Sequence, residues 1–112
     1  MYQEAAPSLV NVNWRAVVIV GNSKTIYARA TQISKNALTL LLPVQLAMHI
    51  PIRVLLEIPN NQNGDKQYLD CNGQSTHAIL VGASGEYRTG FRIENISNEH
   101  RSILDKHLKQ KF

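Results

Sequence analysis

The alternation of apolar and polar residues between Ile52 and Ile58 is the feature that most constrains the fold of this chain. Successive side chains of a strand point to opposite faces, so a period of two predicts a strand with one buried face. Further runs rich in β-branched, aromatic or other apolar residues have strand length and end at turn-forming residues. These runs are 14–20, 25–33, 37–42, 68–81 and 87–93. The chain is therefore predicted to be mainly β.

The C-terminal segment changes period and predicts one helix over about 97–112, capped by Ser97 or Asn98. Its stripe at helical spacing consists of Ile103, Leu104, His107, Leu108 and Phe112. Gly73 is expected to bend or bulge the long run that contains it. Short strands separated by turns, followed by a helix, favour a small antiparallel barrel of six or seven strands. The helix is expected to close one open end of that barrel.

The length of 112 residues, with 44% hydrophobic and 18% charged residues, is typical of one globular domain. Residues 1–12 lack periodicity and are expected to form a flexible lead-in, followed by a single domain over 13–112. No apolar run reaches the roughly 18 residues of a membrane span, and no secretory signal is recognisable. With a single cysteine, Cys71, these features lead us to expect a cytoplasmic protein.

Catalytic and metal-binding chemistry find little support in the sequence. Cys71 lies in a strand-like run, where a buried and inert thiol is expected. The four histidines (His49, His77, His100 and His107) lack the spacing of a chelating set. No nucleophile elbow, phosphate-binding loop or paired-carboxylate motif is present. We therefore expect a protein that is not an enzyme and has no metal or other cofactor.

The net charge of +4 favours anionic partners but does not identify one. Several of the cations fall in the last helix, where a solvated face is the simpler interpretation. The aromatic residues on strands are expected to serve mainly in core or cross-strand packing. A stacking platform for single-stranded nucleic acid stays open as an alternative interpretation. The aromatic residues concerned are Trp14, Tyr27, Tyr68, Tyr87 and Phe91.

Four stretches, taken in order, resemble the PilZ domain, a bacterial module known as a receptor for cyclic di-GMP. They cover nearly all of residues 14–110 and read ATQISKNALTL, LLPVQLAMHIPIRVLLEIPN, LDCNGQSTHAILV and YRTGFRIENISNEHRSILDKHL. No single stretch is diagnostic, but the ordered set at these spacings is fairly specific. The resemblance implies a split barrel with a terminal helix and a role in bacterial signalling, in type IV pilus or motility regulation.

In that family a D-x-S-x-x-G turn helps to grip the ligand, and residues 32–37 stand in its place. Gln32 replaces the aspartate, Ser34 keeps the serine and Ala37 replaces the glycine. An amide oxygen accepts a hydrogen bond without the charge of a carboxylate, and a methyl group obstructs close approach to the backbone. Asn36 is expected to supply any left-handed conformation that the corner requires.

The family's second grip is an R-x-x-x-R run in the lead-in, and here the matching positions are Asn11 and Arg15. Arg15 is moreover expected to belong to the first strand. Charge-assisted hydrogen bonds contribute about 1.5–3 kcal/mol each, so losing an arginine and a carboxylate should lower affinity roughly a thousandfold. The resemblance therefore predicts weak or absent cyclic di-GMP binding at these residual motif positions.

Three functions follow as hypotheses. The first is a non-enzymatic adaptor of the cyclic di-GMP pathway class that acts by binding another protein of unknown identity. The second is a working cyclic di-GMP receptor in which Arg15, Arg29 or Lys35 supplies the missing positive charge. The third, for which the sequence shows no interleaving of basic and aromatic residues, is a basic barrel that binds nucleic acid.

Overall fold

A computed structural model describes residues 9–21, 24–59 and 66–109 of the chain. Its strands are β1 (Val10–Val20), β2 (Lys24–Ile33), β3 (Ala37–Leu42), β4 (Pro51–Pro59), β5 (Lys66–Val81) and β6 (Glu86–Ile96), and helix α1 (Asn98–Lys109) follows. The strands form a closed barrel in the order β1-β2-β3-β6-β5-β4, and β4 pairs back onto β1. Every pairing is antiparallel. The predicted mainly β barrel with a C-terminal helix is confirmed, with six strands.

The first strand begins earlier than the sequence suggests, which corrects the lead-in predicted over 1–12. Val10 pairs with Ile33 and Asn11 with Gln32, so β1 continues along the whole of β2. A shift in register between Asn11 and Trp14 interrupts the alternation at this point, and a broken alternation hides a strand from sequence reasoning. Residues 1–8, and residues 110–112 of the predicted helix, lie outside the described part of the chain.

The core of the barrel is built by the inward face of each strand. In β4 the alternation read from the sequence is confirmed, because Ile52, Val54, Leu56 and Ile58 are all buried. Trp14 and Phe91 lie in the same core, as expected for aromatic residues on strands. The burial of these side chains supplies the apolar area that stabilises the fold.

Helix α1 packs against the barrel at the end where β2 turns into β3. Ser97 is its N-cap, because the Ser97 Oγ accepts a hydrogen bond of 3.2 Å from the His100 backbone N–H. Leu104 is fully buried in the barrel core. The His107 ring meets the Trp14 ring edge to face, with centroids 5.4 Å apart. These contacts fix the helix beside β1 and beside the corner between β2 and β3.

Gly73 marks a bulge in β5, as predicted, since the pairing with β6 shifts register between Asn72 and Gly73. A Cβ at this position would overlap the carbonyl oxygen of Arg92 on β6. The close approach of the two backbones therefore requires glycine.

Candidate functional site

The corner between β2 and β3, residues 32–37, holds the motif that the sequence singles out. Ser34 is buried, and its backbone N–H donates to the Ala37 carbonyl at 2.9 Å. The Ser34 hydroxyl donates to the same carbonyl at 3.3 Å. Ser34 is the one residue that matches the D-x-S-x-x-G turn, and both of its hydrogen bonds stay within residues 32–37.

Gln32 is engaged by two neighbouring strands. Its Nε2 donates to the Asn11 Oδ1 on β1 at 3.2 Å, and its Oε1 accepts from the Thr39 Oγ1 on β3 at 3.3 Å. Both ends of the amide thus have partners within the barrel. The structure brings the motif positions Asn11 and Gln32 together, and their side chains are hydrogen-bonded to each other.

The tip of the corner is held by the helix. The Arg101 guanidinium on α1 donates to the Lys35 carbonyl oxygen and, at 3.4 Å, to the Asn36 Oδ1. The Asn36 carbonyl accepts from the Ile93 backbone N–H on β6 at 2.8 Å. His49 is the one non-glycine residue with positive φ in the described ranges, so the left-handed conformation expected at Asn36 is wrong. Pairing with β6 shapes the corner instead.

Arg15 and Arg29 lie apart from the corner, directly opposite each other on β1 and β2. Arg15 is in β1, as expected, and both side chains are exposed. Neither makes an ion pair with any residue in the described ranges. Arg29 precedes Gln32 by three residues, which separates it from the corner by roughly 10 Å of strand. Lys35 is exposed at the corner and is not brought to the arginines.

The two arginines line a groove of about 710 Å³ on the outer face of the barrel. Val17, Leu41 and Leu55 contribute apolar side chains to its lining. Tyr27 and Tyr68 also line it, and their exposed fractions are 76% and 58%. Both tyrosines lie outside the core, on outward-facing positions of their strands, and Tyr27 is the cross-strand partner of Val17.

The groove also carries two carboxylates, those of Glu57 and Glu86. Glu57 is already paired, because its Oε2 lies 3.0 Å from the Lys66 Nζ. Beside the groove, Arg53 and Asp70 form a bidentate pair at 2.9 and 2.6 Å. The hydrogen bond from Arg53 lowers the pKa of the Asp70 carboxyl against a smaller opposing effect of burial. Glu57 and Asp70 thus have cationic partners, whereas Arg15 and Arg29 make no ion pair in the described ranges.

The groove is the feature that the sequence analysis missed, although one signal for it was available. With Val20 opposite Lys24, counting back along both strands places Arg15 opposite Arg29. Turn position fixes hairpin register, so this juxtaposition could have been read from the turn. The neighbourhood of Glu57 and Tyr68 could not, since it depends on how β4 closes the barrel.

The remaining candidate features are the Cys71 thiol, residues that could hold a metal ion, and helices that could span a membrane. Burial raises the pKa of the Cys71 thiol to about 12, with a smaller contribution from Asp70, so the thiol stays protonated at neutral pH, as expected of an inert residue. Within residues 9–21, 24–59 and 66–109, no group of three or more His, Cys, Asp or Glu is arranged to hold a metal ion. No helix of the described segments is long and apolar enough to cross a membrane.

Comparison with known proteins gives structural neighbours only. No family model matches the sequence, and no curated protein matches it either. Among solved structures, the inhibitor of motility (MotI/DgrA) of Bacillus subtilis is similar with a TM-score of 0.78 and 9% identity, over 99% of this chain. This chain spans 55% of that protein.

The PilZ domain of YcgR from Escherichia coli, solved with cyclic di-GMP, is similar with a TM-score of 0.65 and 16% identity. The match covers 96% of this chain and 90% of that domain. At such low identity a structural likeness establishes the fold and leaves function to the site. This chain has the fold of a PilZ domain.

Proposed function

We propose that this chain is a non-enzymatic adaptor of the cyclic di-GMP pathway class, which acts by binding another protein and has weak or lost nucleotide binding. One observation carries the proposal: the polar groups of the corner at residues 32–37 are bonded within the protein. Gln32 bonds Asn11 and Thr39, and Arg101 bonds the tip of the corner. A ligand at this corner would have to break these bonds before making its own.

The chemistry of the substituted positions supports the same proposal. Asn11 and Gln32 offer amides where a doubly anionic nucleotide with two guanines would be held by a guanidinium and a carboxylate. Neutral hydrogen bonds contribute about 0.5–1.5 kcal/mol, roughly half of what charge-assisted bonds contribute. The motif positions are therefore poor replacements even where their geometry is suitable.

A role in pilus or motility regulation and a cytoplasmic location are parts of this proposal. The name of the Bacillus subtilis neighbour, an inhibitor of motility, is compatible with such a role. The likeness spans 55% of that protein and is one of fold.

Calorimetric titration with cyclic di-GMP at low salt tests the proposal, with the PilZ domain of YcgR as the positive control. We expect no binding in the low-micromolar range, because the lost charges should weaken affinity roughly a thousandfold. Low-micromolar affinity of this chain would overturn the adaptor proposal.

A cyclic di-GMP receptor with substitute residues is the second candidate, and it is favoured by the juxtaposition of Arg15 and Arg29. Two adjacent guanidinium groups match phosphate oxygens in charge and geometry. If this candidate is right, the wild-type chain binds the nucleotide, and Arg15→Ala or Arg29→Ala abolishes the binding. Lys35→Ala tests whether the corner contributes to the same site.

A further inference from the structure

One transverse row of outward-facing residues defines the groove on the barrel. Adjacent strands pair directly at each step of this row, which therefore crosses five strands without interruption. From β5 to β3 its members are Tyr68, Glu57, Arg15, Arg29 and Leu41. A neighbouring row places Leu55 opposite Val17 and Val17 opposite Tyr27. The arginine pair thus lies between Glu57 and Leu41 within its row and beside the apolar and aromatic side chains of the neighbouring row.

The arginine pair has no evident use within the fold. Residues directly opposite in adjacent strands have Cα atoms roughly 5 Å apart, and like charges at such positions are destabilising. Glu57 is the cross-strand neighbour of Arg15, but its carboxylate bonds Lys66 on the other side. On β6, Arg88 pairs with Leu41, and Glu86 lies two residues before Arg88. Glu86 therefore lines the far side of the groove. Positions where a fold keeps such a conflict are candidates for function.

We propose that this groove docks an acidic segment of a partner protein in which a carboxylate stands beside apolar side chains. The inference rests on the proposed adaptor function and names its docking surface. A carboxylate placed between Arg15 and Arg29 would be held by two planar guanidinium groups and would remove their repulsion. The apolar neighbours of that carboxylate would cover Val17 and Leu55, and the two exposed tyrosines would flank them, as aromatic anchors do at interfaces.

Charge complementarity favours an acidic peptide over a nucleotide at this place. The carboxylates of Glu57 and Glu86 line the same groove and repel the phosphates of a nucleotide or nucleic acid. A single carboxylate centred on the arginine pair brings one negative charge next to Glu57, whereas a cyclic dinucleotide brings two, so the peptide meets less of this repulsion. A basic group of the partner segment could also pair with Glu86, which a phosphodiester cannot do.

An array of immobilised twelve-residue peptides, probed with the fluorescently labelled full chain, tests the proposal. The peptides fall into four classes: acidic with apolar residues, basic with apolar residues, acidic without apolar residues, and apolar without charge. We expect the acidic–apolar class to retain at least about tenfold more chain than any other class, since each charge-assisted bond contributes more than 1 kcal/mol. Circular dichroism of every variant checks that the fold is kept.

The double variant Arg15→Ala with Arg29→Ala is expected to lose this retention about tenfold or more. Its matched control, Arg92→Ala with Lys106→Ala, removes the same charge from exposed cations on β6 and α1 and should retain the peptides. Equal losses of retention in the two double variants would show that net charge alone explains the effect, and this would overturn the docking site. The docking site would also be overturned if retention did not depend on peptide charge, or if the Arg15→Ala with Arg29→Ala variant were retained as well as wild type.

Two further measurements separate failure of this site from failure of the adaptor function. Arg29→Glu should shift preference toward the basic–apolar peptides, and no shift contradicts docking at the groove. Cyclic di-GMP and a single-stranded oligonucleotide are titrated in parallel. Peptide binding that survives all groove variants leaves an adaptor with a different docking surface. Nucleotide or oligonucleotide binding that Arg15→Ala abolishes, without peptide binding, overturns both proposals.

Discussion

The corner between β2 and β3 and the groove on the outer face differ in what their polar groups do. At the corner, which carries the D-x-S-x-x-G-like turn, Gln32 and Asn36 bond side chains of other elements, and Ser34 bonds the Ala37 carbonyl within the corner. In the groove, where Arg15 matches the second arginine of the R-x-x-x-R run, Arg15 and Arg29 face each other without an ionic partner in the described ranges. The polar residues of the corner are bonded within the fold, whereas the two arginines of the groove make no ion pair in the described ranges.

This difference teaches that sequence position and availability are separate properties of a binding site. A motif residue whose hydrogen bonds are already satisfied gains little from a ligand, because each new bond replaces an old one. A residue kept in an unfavourable pair gains from the ligand and from relief of the repulsion. Four predictions test the contrast, in order of decreasing expected effect.

Repair of the motif should give the largest change. The triple variant Asn11→Arg, Gln32→Asp and Ala37→Gly restores the two missing charged groups and the glycine. If the side chains are what is missing, cyclic di-GMP affinity should rise roughly a thousandfold, as measured by calorimetry, because two charge-assisted bonds contribute about 3–6 kcal/mol together. No gain would mean that the geometry of the corner, held by Arg101, is the obstacle, and the variant with Arg101→Ala added would then bind.

Removal of the Arg101 side chain should destabilise the fold by about 1 kcal/mol, because the Lys35 carbonyl and the Asn36 amide lose their shared donor at a partly solvated site. Urea denaturation measures the change. Arg92→Ala, which removes an arginine paired with Glu94 on the exposed face of β6, is the control and should change stability by less. Equal effects would contradict a structural role for the contact between α1 and the corner.

Replacement of an arginine in the groove should stabilise the fold, in contrast to removal of the Arg101 side chain. Arg29→Thr removes the charge opposite Arg15 and introduces a good strand former, so the free energy of unfolding should rise by about 0.3 kcal/mol. The gain should shrink between 0.05 and 0.5 M salt as the repulsion is screened, with those concentrations chosen around a Debye length of roughly 4–14 Å. A loss of stability that is independent of salt would show that the stem of Arg29 matters for packing.

The pair between Arg53 and Asp70 should give the smallest effect and serves as a reference for an ordinary surface contact. The pKa of Asp70 is lowered in the folded protein, so its contribution to stability is present above the unfolded pKa and is lost as pH falls through the folded pKa. The stability difference between wild type and Asp70→Asn should therefore disappear between about pH 4 and pH 2. A difference that persists at pH 2 would assign the effect to packing.

Most of the fold was predictable because its signals are local. The apolar alternation of β4 and the change of period at α1 identify these elements without reference to the rest of the chain. Ser97 was recognisable as a cap for the same reason. The first residues of β1 were missed because the irregular register between Asn11 and Trp14 hides the alternation there.

The site was less predictable because its properties are not local. The substitutions at residues 32–37, and the absence of a carboxylate at position 32, could be read from residue types. The engagement of Gln32 by Asn11 and Thr39 could not, since the three residues come from different strands. Tyr27 and Tyr68 were expected in packing because residue type does not state which face of a strand points outward.

The sequence by itself determined the strands, the terminal helix, the buried inert thiol and the loss of charge at the motif. Tertiary structure alone decided that β4 closes onto β1 and so brings Glu57, and beyond it Tyr68, beside Arg15. It also decided that Arg101 reaches the corner from a helix 65 residues further along the chain than Asn36. The physical reason is that side-chain periodicity is a property of one segment, whereas the partners of a polar group depend on which distant segments the core brings together.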